Sequence, residues 1–276
     1  MATSEAIEKH TVPAGVEKIR LSDYLVGIFS SLPSRKSVKK AIDKKRVTVN
    51  HKVASTGLWV QSGMQIEVLP KAEKPVYKLD IPVVYEDEQL AIVNKPAGIA
   101  TSGNTFKTLE NTLPHNLTVE NNFNPLPIHR LDRATSGLVI IAKTVKSRIK
   151  LGEMIANGQI MKVYHAIVKG LAHAPQQIES PIDGKQAVTE IMDVRPVIRH
   201  DLKLVKLKPK TGRTHQLRIH CAQQGFPIVG DQLYGDYSIG KGLFLCATSL
   251  HFSHPYTQLP LDISIDLPGK FQKLMP

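Results

Sequence analysis

From Asp80 onward the chain is a succession of apolar strands that only two helical stretches interrupt, and this order limits the fold more than any other feature. Residues 90–93, 138–142, 160–168, 202–207, 244–250 and 261–265 are short runs dominated by Val, Ile and Leu, with polar or turn residues between them. Helical spacing is confined to 146–157 and 215–224, the second stopped by Gly225. A doubly wound parallel sheet needs a helix between successive strands, so the pattern excludes it. An α+β domain with a mixed, mainly antiparallel sheet is expected over 80–276.

A smaller α/β module is expected ahead of it, over 16–70, after an N-terminal tail (1–15) and before a linker (71–79) that contains Lys74 and Pro75. Leu21, Tyr24, Leu25 and Ile28 follow helical spacing, with Ser22 placed to cap and Asp23 in the first turn. A second helix starts at Ser34 and turns Val38, Ala41 and Ile42 inward. Its other face carries Arg35, Lys36, Lys39, Lys40 and Lys44, followed by Lys45 and Arg46. Residues 47–49 and 52–53 read as strands around Asn50 and His51, and Met64, Ile66 and Val68 alternate as a last strand.

The charge is distributed to match. Of a net charge of +12, the first 75 residues contribute thirteen Lys and Arg against seven Asp and Glu. A helix with one cationic face is by default a solvated face, but this excess favours a polyanionic partner, with nucleic acid the commonest. No apolar run reaches the length of a membrane helix, so no membrane partner is expected. Cys221 and Cys246 have neither metal-ligand spacing nor the numbers for a disulfide framework, which points to a reducing compartment and the cytoplasm.

The chemistry concentrates in Ile128-His129-Arg130-Leu131-Asp132-Arg133-Ala134-Thr135-Ser136-Gly137, a charged segment that turns into an apolar strand. It resembles "HRLDxxTSG", the active-site signature of the RluA-type pseudouridine synthases. Further segments are similar to that family's motifs in the same order: "EDEQLAIVNKPAGI" from Glu86, "KVYHAIVKG" from Lys162, "GRTHQLRIHCAQQGFPIVGDQLYG" from Gly212 and "LHFSHP" from Leu250. The resemblance spans about residues 84–256. RsuA-type relatives usually carry Gly before the Arg of the aspartate motif, so His129 favours the RluA side. The order of elements in 16–70, with basic residues ahead of "RVTVN", resembles the S4 RNA-binding module.

The resemblance implies an isomerase that converts uridine in structured RNA, ribosomal or transfer, to pseudouridine. That reaction breaks a C–N glycosidic bond, turns the base and rejoins it through C5. A nucleophilic carboxylate must be ionised in a pocket that excludes water. By resemblance Asp132 is the nucleophile, Arg218 its cationic partner, and Tyr164 lies against the base as a candidate for the C5 proton transfer. Attack at C1′ or at C6 of the base both stay open. The nucleotide must first leave its stack, and Arg130 matches the arginine that enters the vacated space. Lys36, Lys39, Lys40 and Lys44 would add phosphate contacts. Lys95, Arg213 and His215 are expected along the RNA-facing cleft, and Arg133 to meet phosphate.

A monomer without metal or organic cofactor is expected. The segment 235–241 has P-loop spacing, but Gly242 stands where the Ser or Thr belongs. His215 and His220 lack the zinc-protease pattern. A non-catalytic RNA-binding protein need not keep Asp132, Tyr164 and Arg218 together. A glycoside hydrolase needs two cooperating carboxylates, and Asp231, the obvious second, sits in a turn and reads as structural. Two departures from the family stand out: Ala100-Thr101-Ser102-Gly103 where a histidine often follows, and 104–124, which reads as a substrate-specific loop.

Overall fold

The structure is a computed structural model that describes residues 5–71, 76–118, 123–235 and 242–276. The chain divides into two compact units, Met1–Lys74 and Pro75–Pro276. Much of the expected linker and most of the P-loop-like segment lie outside the described residues.

The first unit contains β1 (Glu8–Thr11), β2 (Glu17–Arg20), α1 (Leu21–Tyr24), α2 (Arg35–Asp43), β3 (Val47–Val49), β4 (Lys52–Val53), β5 (Trp59–Gln61) and β6 (Gln65–Val68). Four strands form a sheet in the order β1-β6-β3-β4, and β2 pairs with β5. Helix α2 begins where the sequence places it. Ser34 Oγ accepts the Ser37 N–H at 3.2 Å and Ser37 Oγ accepts the Ser34 N–H at 3.0 Å, a reciprocal cap. Val38, Ala41 and Ile42 face the core, while Lys36, Lys39, Lys40 and Lys44 are exposed.

Two expectations need correction here. Residues read as a tail supply β1, which pairs antiparallel with β6 from Glu8↔Val68 to Thr11↔Gln65. The first helix is a single turn with Arg20 at its N-cap position and no side-chain cap, and Ser22 is buried inside it. Gly27 adopts φ +78° and breaks the helical path, leaving Ile28 39% exposed.

The second unit contains β7 (Val83–Glu86), β8 (Leu90–Lys95), α3 (Leu109–Asn116), β9 (Leu126–Pro127), β10 (Ser136–Ala142), α4 (Val145–Ala156), β11 (Met161–Lys169), β12 (Gln176–Glu179), β13 (Val188–Pro196), β14 (Leu202–Pro209), α5 (Gln216–Gln223), β15 (Leu245–Ser253), β16 (Pro260–Ser264) and α6 (Gly269–Gln272). One ten-stranded sheet runs β12-β13-β14-β11-β15-β10-β8-β7, with β16 on β15 and β9 on β10. The β10–β15 pairing is parallel and the other described pairings in this sheet are antiparallel, so the sheet is mixed and mainly antiparallel.

Its central strands are buried on both faces, which explains their uninterrupted apolar sequences. Ala91, Val93, Val139, Ile141 and Ala166 join the core that holds α3 and α5 residues. Leu90, Ile92, Leu138 and Ile140 pack on the opposite face against α4 residues. Part of the stretch read as a loop, 104–124, is helix α3. Thr108 Oγ1 caps it by accepting the Asn111 N–H at 3.2 Å, and Leu109 and Leu113 are fully buried.

Candidate active site

The site forms where the loop before β10 crosses the edge of α5. Asp132 is fixed through the backbone on both of its sides. On one side, the buried Thr101 hydroxyl donates to the Leu131 carbonyl at 2.8 Å and accepts the Leu131 N–H at 3.0 Å. On the other, the Gly98 N–H donates to the Arg133 carbonyl at 2.7 Å, and Arg133 Nε returns a bond to the Gly98 carbonyl at 2.8 Å. The loop closes with Thr135 N–H donating to Asp132 O at 3.1 Å. Thr101 belongs to the segment that departs from the family pattern, and sequence alone gave no sign of this clamp.

Gly137 brings the loop close to the sheet. It adopts φ +118°, and a Cβ there would lie 2.2 Å from the Ala247 carbonyl oxygen. Gly137 registers with Ala247 in β15, and Ala247 registers in turn with Tyr164 in β11. Three neighbouring strands therefore carry Tyr164 to the Asp132 loop. Tyr164 is 8% exposed. Burial first, then the Asp132 carboxylate and the Cys246 thiol, push its hydroxyl well above the ordinary phenol range. It is a protonated phenol at neutral pH.

Arg218 lies in the first turn of α5, as its third residue. Nη1 is 3.5 Å from Asp132 Oδ2, and the rest of the guanidinium grips Asp231: Nε to Oδ2 and Nη2 to Oδ1, both at 2.7 Å. Asp231 also accepts the backbone N–H groups of Leu233 and Tyr234 at 3.0 and 3.2 Å. Burial works against both charges. The Asp231 carboxylate nonetheless holds Arg218 above its ordinary pKa, with Asp132 adding to it. Arg218 and the two amides hold Asp231 below the ordinary carboxylate value. Asp231, which reads from sequence as a turn residue, orients the cation.

Asp132, Tyr164 and Arg218 line one cavity of about 130 Å³, together with Arg130, Lys162 and Thr135. Arg130 is exposed on this lining. Thr135 is 2% exposed, and its hydroxyl has no hydrogen-bond partner among the described residues. His215, at φ +55°, holds Nε2 3.8 Å from Asp132 Oδ2, while its Nδ1 is 3.1 Å from the Tyr234 hydroxyl. A non-glycine residue in the left-handed region beside the Asp132 carboxylate is the kind of strain that clusters at functional sites.

Other expected residues go elsewhere. Lys95 is fully buried and takes no part in lining the cavity. Its Nζ donates to the carbonyls of Pro96 at 2.8 Å and Ile99 at 2.9 Å. Burial pulls its pKa down to about 8 against the pull of Asp132. Arg133 is exposed and donates its Nε to the Gly98 carbonyl. His129 has a structural part: its Nε2 accepts the Ile140 N–H at 3.1 Å, which fixes the ring as neutral. Arg213 lines the cavity, as expected of the cleft, with its Nε on the Gln186 carbonyl at 3.0 Å. Lys36, Lys39, Lys40 and Lys44 belong to the first unit.

Residues 89–223 match the RNA pseudouridylate synthase family. The chain is 32% identical over 228 residues to tRNA pseudouridine synthase C of Vibrio cholerae, covering 70% of this chain and 93% of that one. It is 30% identical over 298 residues to ribosomal large subunit pseudouridine synthase D of Buchnera aphidicola, covering 93% of each. Among solved structures, human RNA pseudouridylate synthase domain containing 4 aligns with a TM-score of 0.57 at 23% identity. That alignment covers 69% of this chain and 90% of the human one, a likeness of fold.

Proposed function

Because the chain belongs to the RNA pseudouridylate synthase family, and is thus an RNA pseudouridine synthase, we propose that Asp132 is its nucleophile, with Arg218 and Tyr164 completing the reactive group. The observation that supports this is the convergence of the three side chains on one cavity from a loop, a helix and a strand.

Asp132 attacks the extruded uridine, and the C1′–N1 bond breaks. Arg218, held still by Asp231, faces the carboxylate as charge moves on and off it. Preorganised charge of this kind needs no rearrangement during the reaction. Tyr164 lays its ring along the detached uracil. Once C1′ is joined to C5 and the Asp132 carboxylate is released, the neutral Tyr164 hydroxyl takes the C5 proton while giving up its own, and N1, which left C1′ with the bonding pair, ends protonated. Arg130, on the exposed part of the lining, fills the space the nucleotide leaves.

The substrate is structured RNA of the ribosomal or transfer class. The unit Met1–Lys74 serves as an S4-like module that adds phosphate contacts through Lys36, Lys39, Lys40 and Lys44. A cytoplasmic enzyme acting as a monomer belongs to this reading; its support for the compartment is the pair of buried free thiols, Cys221 and Cys246.

The test is to incubate RNA from cells lacking the protein with the wild type and with Asp132→Asn, then map pseudouridine. Wild type should restore specific sites, and Asp132→Asn should bind RNA yet restore none. Turnover by that variant removes the assigned nucleophile.

A further inference from the structure

Lys162 occupies the same face of β11 as Tyr164, two residues away, and lines the same cavity. The other guanidinium and ammonium groups around Asp132 are engaged by the protein or exposed. Arg218 grips Asp231, Lys95 holds two backbone carbonyls, Arg133 and Arg213 each bond a backbone carbonyl, and Arg130 is exposed on the lining. Lys162 forms no hydrogen bond or ion pair with a described residue, although it is partly buried. Burial draws its pKa down and no carboxylate offsets this, while its charge in turn bears on the ring of His129.

An ammonium in this position costs stability that an apolar side chain of the same length would not. No described residue supplies an anion to it, and the Asp132 charge is directed instead at Arg218, Lys95 and Tyr164. A second lining group, the buried Thr135 hydroxyl, is also left without a partner. Two polar groups are thus unpaired in one small cavity, which fits a wall built to be completed by a polar, anionic ligand. A nucleotide cannot enter without its backbone phosphates, and an ammonium is a common partner for phosphate.

Resting on the reading of this cavity as the uridine site, we propose that Lys162 receives a backbone phosphate flanking the target uridine, and so helps hold the extruded nucleotide over Asp132. Lys162 is a positioning residue in this scheme and handles no reacting atom.

The test crosses protein and RNA changes. The RNA is a stem–loop built around a uridine whose modification disappears from cells lacking the protein, with a neutral methylphosphonate replacing the phosphate on either side of it in turn. Single-turnover rates and binding are measured for wild type, Lys162→Gln, Lys162→Met and Lys162→Arg. One neutral linkage should slow wild type by about tenfold to a hundredfold, as loss of a charge-assisted contact would. Lys162→Gln and Lys162→Met should be slowed by a similar factor on the all-phosphate RNA and then be nearly indifferent to that linkage. Lys162→Arg should keep most of the rate and the sensitivity.

If each neutral linkage slows the Gln and Met variants as much as it slows wild type, the phosphate contact is overturned. A normal rate for both variants on the all-phosphate RNA also overturns it. The same cycle read by affinity in an Asp132→Asn background keeps the two claims apart. Turnover in that background sinks the nucleophile and leaves the phosphate contact standing; absent coupling there sinks only Lys162.

Discussion

Arg218 gives its two shortest hydrogen bonds to Asp231 and only a 3.5 Å approach to Asp132. The pair is buried, with side-chain exposures of 7% and 0%. Breaking a buried pair by removing one partner costs roughly 3–5 kcal/mol, because the other charge is left uncompensated. Asp231→Ala should therefore lower the unfolding free energy of the catalytic unit by about that amount and lose activity. Asp132→Ala should lose activity with little change in stability. Urea titrations of both variants check this, and equal midpoints would show that Asp231 is dispensable to Arg218.

The clamp between Thr101 and Leu131 makes a second prediction. Both the carbonyl and the N–H of Leu131 depend on one buried hydroxyl. Thr101→Val keeps the shape and strands both groups, at a cost of roughly 1–3 kcal/mol. Because Leu131 is the neighbour of Asp132, the expected signature is a fall in kcat with RNA affinity nearly unchanged, and recovery in Thr101→Ser. Loss of affinity at constant kcat would place Thr101 in RNA binding instead.

What could be read from sequence followed locality. Helix α2 was legible because its cap at Ser34 and its apolar stripe of Val38, Ala41 and Ile42 lie within nine residues of one another. The apolar strands β8, β10, β11 and β15 were legible for the same reason. Helix α3 escaped because Pro114 and five polar residues blur its stripe, and β13 because Glu190, Asp193 and Arg195 interrupt it. Glu190 is paired across space with Lys210 at 2.8 Å, and Asp193 with Arg195 on the same strand at 2.6 Å. At the site, motif residues announced Asp132, Tyr164 and Arg218. Asp231 as the anchor of Arg218 did not show, since a contact thirteen residues apart across a turn leaves no periodicity. His129, which in the sequence serves only to favour the RluA side, is bound to the backbone of β10.

That backbone bond gives stability a pH dependence of definite sign. Burial, assisted by Lys162, lowers the His129 pKa from 6.5 to about 3, and burial is the main cause holding His165 at about 4. Below pH 6.5 the unfolded chain takes up protons that the folded one refuses, so stability falls as pH falls. Each ring contributes a slope of about 1.4 kcal/mol per pH unit until its own folded pKa is reached. Carboxylates such as Asp231 act only below the ordinary carboxylate range. Urea midpoints measured from pH 7.5 to 5 should therefore decline, and His129→Gln, which can still accept the Ile140 N–H, should flatten the decline. A profile unchanged by that substitution would mean the ring is protonated in the fold.

The exposed face of α2 can be tested without disturbing its buried one. Lys36, Lys39, Lys40 and Lys44 form no ion pair with any described residue, while Val38, Ala41 and Ile42 hold the helix in place. Glutamine keeps helix propensity near that of lysine, so a fourfold Lys→Gln variant should melt close to the wild type. If these ammonium groups meet phosphates, each releases a counterion, and the slope of log affinity against log salt should shrink by about three for the four together. Weak binding at low salt should follow, along with a normal rate once RNA is saturating. A slope that stays as steep as the wild type's would mean that this cationic face is solvated in the complex and that RNA is gripped elsewhere.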